Sequence, residues 1–130
     1  MRFFIAGLLA LLVMGCSEPD IQFQIPTQNW DDTVIEVQSR PTPVRPGMNE
    51  FLVIATLERG KPVHNLVVSL RGSESLSWQQ AIQDGHSGVY RKAVNIPESS
   101  SSLYVRLRKK RSDEQHELVF DLRPRDKAEK

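Results

Sequence analysis

The chain has 130 residues, enough for one domain, and its 39% hydrophobic and 25% charged residues are an ordinary globular balance that excludes a wholly disordered chain. The net charge is +1 and Arg2 supplies that excess, so from Cys16 onward 16 basic residues face 16 acidic ones. Such a neutral chain lacks the general positive field that neutralises phosphates, which excludes nucleic acid as the expected partner, and a single cysteine excludes an intramolecular disulfide.

The chain opens with Met1 and Arg2, followed by an unbroken apolar run from Phe3 to Met14. As a helix the run spans about 18 Å, whereas a bilayer core of roughly 30 Å needs about 20 apolar residues. The run therefore reads as a signal-peptide core covering residues 1–15. It ends in Val13, Met14, Gly15 and Cys16, a pattern that resembles the lipobox of bacterial lipoproteins. The resemblance implies cleavage before Cys16 and a diacylglyceryl group on its sulfur. Small Gly15 lets a signal peptidase approach the scissile bond, and the new amino group of Cys16 is then acylated. Each buried acyl methylene contributes about 0.8 kcal/mol, so two or three chains anchor a protein almost permanently. Ser17 in place of the retention aspartate implies, in a diderm bacterium, the periplasmic face of the outer membrane.

Residues 16–32 contain Pro19 and Pro26 with scattered apolar residues, and read as a lipidated tether spanning on the order of 20–25 Å. The pair Asp31 and Asp32 falls at its end. Adjacent side chains of an extended segment point in opposite directions, so the pair reads as solvated linker rather than catalytic dyad.

Strand signals separated by turn signals then follow at even spacing. Residues 33–38 alternate weakly, and the prolines at 41, 43 and 46 bar a central strand there. Phe51, Val53, Ala55 and Leu57 share one face of the next strand, and Leu52 and Ile54 on the other face predict a central position. Leu66, Val68 and Leu70 alternate with polar neighbours. Leu76, Trp78 and Ile82 mark a shorter strand. The turn cluster at 84–88 leads into a strand over 89–96 with Tyr90, Val94 and Ile96 inward. Leu103, Val105 and Leu107 alternate most clearly, and Leu118, Phe120 and Leu122 close the domain. Residues 123–130 read as a frayed polar tail. About seven strands over residues 33–122, with no helix, predict an all-β immunoglobulin-like sandwich.

Three segments in order carry a second resemblance: Pro46, Gly47, Met48 and Asn49 leading into a strand; Gly60, Lys61, Pro62 and Val63 in the following turn; and Asp84, Gly85, Gly88, Val89 and Tyr90 opening a later strand. Over residues 40–122 the chain resembles the FixH-like and YtkA-like periplasmic domains, which are small immunoglobulin-like sandwiches. That resemblance implies an extracytoplasmic place and, in some relatives, metal handling or respiratory-oxidase assembly. The chain departs from the metal-handling pattern in having neither Met nor His over residues 72–82.

Beyond the expected signal peptide and the lipidated Cys16, the candidate metal ligands are Met48, His64, His86, His116 and scattered carboxylates, of which the methionine and imidazoles would suit copper. None stands at a short ligand spacing, so they read first as turn and edge-strand residues, with His86 and then Met48 and His64 as the weak metal candidates. No nucleophile elbow, zinc-binding helix or phosphate loop occurs, so no enzyme activity and no cofactor are expected. Arg106, Arg108, Lys109, Lys110 and Arg111 form a basic stretch at a hairpin tip, which reads first as a solvated turn guarding an edge and second as a contact patch. Trp78 reads first as a core residue and second as part of that patch. The expectation is a lipid-anchored, non-enzymatic interaction module whose partner is another envelope protein; the alternative is an accessory protein for copper or a respiratory oxidase.

Overall fold

A computed structural model describes residues 24–123. The expected signal peptide, the Val13-Met14-Gly15-Cys16 motif and residues 124–130 of the expected tail lie outside the described residues.

Period-two alternation decides the architecture. Strand β2 (Thr33–Arg40) buries Thr33, Ile35, Val37 and Ser39 and turns the residues between them outward. Strand β3 (Gly47–Thr56) buries Phe51, Val53 and Ala55 inward, and Leu52 is also covered, as its central place requires. Strands β4 (Leu66–Arg71), β7 (Val89–Ile96), β8 (Ser102–Lys109) and β9 (Gln115–Asp121) follow, with the very short β5 (Gln79–Gln80) and β6 (Ile82–Gln83) between β4 and β7. A three-residue strand, β1 (Gln28–Trp30), precedes them all.

These nine strands form two antiparallel sheets, in the orders β1-β2-β3-β7-β6 and β5-β4-β8-β9. In immunoglobulin terms β2, β3, β7 and β6 take the places of A, B, E and D, and β4, β8 and β9 those of C, F and G. The inner faces supply the core, with Phe51, Leu70, Tyr90, Leu103, Leu107 and Phe120 among its largest buried side chains. Each such side chain contributes about 1.5–3 kcal/mol through its removal from water. One flank is closed by a strand that changes sheets at Ala81, whose buried side chain and amide bond to Val68 mark the corner between β5 and β6.

Several expectations are corrected. The tether expected over residues 16–32 does not extend through its described part, 24–32: Ile25 is buried in the core and β1 pairs with β2, Trp30 opposite Thr33. Asp31 and Asp32 form the tight turn between these strands, Asp31 with φ of 52°. Ile82 is 71% exposed because the corner at Ala81 sends its neighbour outward. Among the described residues there are nine strands instead of about seven, because β1 is too short to show alternation and the short strand expected around Leu76, Trp78 and Ile82 divides at Ala81 into β5 and β6.

Two side chains fix the loops. Asn49 is buried, donates to the carbonyls of Arg45 (2.6 Å) and Gly47 (2.9 Å), and accepts from the Arg45 amide, stapling the proline-rich turn to the start of β3. Tyr90 reaches across the sandwich, donating to the Val63 carbonyl and accepting from the Leu66 amide. Burial raises its pKa above the ordinary value, opposed by the hydrogen bond from Leu66.

Candidate functional site

The sheet β5-β4-β8-β9 is covered on its inner face only, so its outer face shows which side chains the chain leaves toward solvent. Register places Arg71 opposite Tyr104 and Ser69 opposite Arg106 on β4 and β8, and Glu117 and Val119 opposite Arg106 and Tyr104 on β9. Trp78, just before β5, joins them. The guanidinium carbons of Arg71 and Arg106 lie 4.2 and 4.1 Å from its ring centre, and Arg71 is also 5.5 Å from the Tyr104 ring. Arg106 donates to Glu117 from Nε and Nη2, and Arg71 donates to the Glu74 carbonyl. The Arg71 Nε is buried without a hydrogen-bond partner, which fits its place against the Trp78 ring.

Trp78 therefore lies on the outer face and not in the core, against the first reading of the sequence. Cation–π contacts of this kind contribute about 0.5–1 kcal/mol each at exposed sites, and more when water is excluded. Val119, 51% exposed beside Tyr104, completes a tile of aromatic, aliphatic and guanidinium groups. Arg71, Tyr104 and Val119 lie outside the contact patch expected from the sequence; the β4–β8–β9 register brings them to Trp78.

The basic stretch is split. Arg106 belongs to the Trp78 tile, whereas Arg108 turns its Nη1 to the Ser112 carbonyl within the β8–β9 turn. Lys109 places its ammonium 5.8 Å from the Trp30 ring, and Lys110 and Arg111 are exposed at the tip. Trp30 also stacks on His116, with ring centres 6.2 Å apart and planes 11° from parallel. Between them and the turn lies a shallow cleft of about 490 Å³, whose lining mixes Lys109 with Asp31 and Glu114, so no single charge sign dominates it.

The weak metal candidates also separate. Met48 is 65% exposed at the start of β3, whereas His64 and His86 lie at the far end of that strand, in loops beside Ala55 and Gly88. There the two imidazoles meet edge to face, with ring centres 5.6 Å apart. Among the described residues no group of three or more His, Cys, Asp or Glu is arranged to hold a metal ion, and no helix is long and apolar enough to cross a membrane.

No family model, curated protein or solved structure matches this chain.

Proposed function

We propose that the protein is a lipid-anchored, non-enzymatic envelope module that binds another envelope protein through the outer face of its four-stranded sheet. The observation that supports this most is Trp78 held between core and solvent by two arginines, beside Tyr104 and Val119. Trp, Tyr and Arg are the residue types that dominate binding energy at protein interfaces: Trp and Tyr add large, rigid contact area with little side-chain entropy to lose, and Arg adds a planar group that both stacks and hydrogen-bonds. A pre-ordered tile lowers that loss further. The anchor rests on the sequence Val13, Met14, Gly15, Cys16, and the resemblance to periplasmic sandwiches agrees with it.

Site-specific photo-cross-linking in the native cell tests the binding face. A cross-linker at Val119 or Tyr104 is expected to trap one discrete partner, and one at Gln38 on the outer face of the other sheet is expected to trap none. Trapping must disappear in Trp78→Ala; equal trapping from both faces, or none from either, rejects the proposed face. The anchor has its own test. Cys16→Ser is expected to abolish incorporation of labelled palmitate and release the protein from the membrane fraction, and retention of label would reject Cys16 as the lipid carrier.

A further inference from the structure

The chain has three histidines, and two of them, 22 residues apart in sequence, are brought together by loops that the fold holds tightly. The Ala55 amide donates to the Gly88 carbonyl at 2.9 Å, and the Val63 amide donates to the Ala55 carbonyl at 2.9 Å. The end of β3 thus pins the backbone next to each histidine's loop. Gln83 adds a second bridge, donating from Nε2 to the His64 carbonyl at 2.9 Å and accepting the Gly88 amide through Oε1 at 3.2 Å. Gly88 itself has φ of 72° and lies against Ala55 and Pro62, where a Cβ would collide. The approach of the two loops is therefore set by the fold and not by the imidazoles.

From this arrangement the geometry points to a two-histidine site for a borderline divalent ion, formed by His64 and His86 and strongest for Cu²⁺. Two imidazoles that bind one ion at about 2.0–2.1 Å have ring centres roughly 4.5–6.5 Å apart, a range that includes the 5.6 Å found here. Both rings are exposed, so ring rotation from edge-to-face into a chelating pose needs no core rearrangement. Asp84, the nearest carboxylate along the chain, is held by Arg91 at 2.7 Å, and no third His, Cys, Asp or Glu joins the pair among the described residues. Water fills the remaining positions, which makes the ion exchangeable rather than structural. With two nitrogen donors, affinity follows the first-row order and peaks at Cu²⁺. The site is separate from the Trp78 face and requires neither the anchor nor the partner.

The test is titration of the full-length protein, purified in detergent without a polyhistidine tag, with Cu²⁺ at neutral to slightly alkaline pH, followed by calorimetry and electron paramagnetic resonance. One equivalent is expected to bind with hyperfine coupling from two imidazole nitrogens. His64→Gln and His86→Gln, which keep a polar side chain at each position, should each weaken binding at least tenfold and leave one nitrogen in the signal. His116→Gln, on the stack with Trp30, should change neither. Absence of stoichiometric binding overturns the assignment, as does binding that survives both Gln variants. A thiolate-to-copper charge-transfer band, which would place the ion on Cys16, overturns it too.

Discussion

The hydroxyl of Tyr90 lies 2.9 Å from the carbonyl of Val63, so a strand of the five-stranded sheet is tied by its side chain to the loop that enters the other sheet. The same oxygen accepts the Leu66 amide, and the ring is only 1% exposed. Tyr90→Phe keeps the shape of the ring but leaves a buried donor and acceptor unpaired. The expected loss is about 1–3 kcal/mol, read as a lower urea midpoint with an unchanged m-value.

The same phenol predicts a pH dependence. Burial raises its pKa above 10.0, so the folded protein holds this proton to higher pH than the unfolded chain does. Its contribution is complete below pH 10.0 and is lost as pH rises through the folded-state value. Urea midpoints measured on either side of that pH should fall on the alkaline side, and the fall should shrink in Tyr90→Phe.

Gly72 lies where two parts of the chain nearly touch. A Cβ there would overlap the Asn95 carbonyl oxygen and crowd the Ile96 side chain. Gly72→Ala must therefore push β7 and the loop after β4 apart, at a cost of about 1–3 kcal/mol or more. Thermal melting should show a clear drop, whereas Gly85→Ala, with open space around its Cβ, suffers only from the strain of its positive φ.

Asn49 holds the proline-rich turn by three hydrogen bonds at one buried side chain. Asn49→Ala leaves those backbone groups to find water and should cost about 1–3 kcal/mol. Hydrogen exchange checks where the effect falls: protection should drop first at residues 45–50 and last in β8.

On the outer face, Arg106→Lys keeps the charge beside Glu117 but loses the planar group over Trp78. The distinction matters because a guanidinium stacks and forks whereas an ammonium does neither. Stability should fall by about 0.5–1 kcal/mol. Partner cross-linking from Val119 should weaken more than this small change implies, because the tile's shape is lost.

What the sequence discloses depends on how one-sided each surface is. Leu103, Val105 and Leu107 are legible because β8 has a dry face and a wet face, and every second residue records the difference. Phe51 to Ala55 are legible for the opposite reason, since a central strand is apolar on both faces. By contrast, β1 reads Gln-Asn-Trp, and its membership in the sheet is decided by its partner β2 rather than by its own composition. Ile82 misleads because the chain switches sheets one residue earlier, which resets the alternation. Trp78 misleads because hydrophobicity alone does not record the two guanidinium groups that cover its ring. The meeting of His64 with His86 is invisible in spacing, because it depends on which loops share one end of a sandwich.

The three-residue ladder between β1 and β2 has a mechanical consequence. Tension on the N-terminal side reaches β1 first, and β1 is held by three register pairs where β2 has seven with β3. Side chains add to this hold: Gln28 donates to the Val119 carbonyl, Trp30 stacks on His116, and Ile25 is buried in the core. Peeling residues 24–32 would pay out about 30 Å of extended chain before the rest of the sandwich feels the pull. That short strand is the part of the sheet that would yield first to a pull from the N-terminal side of residue 24.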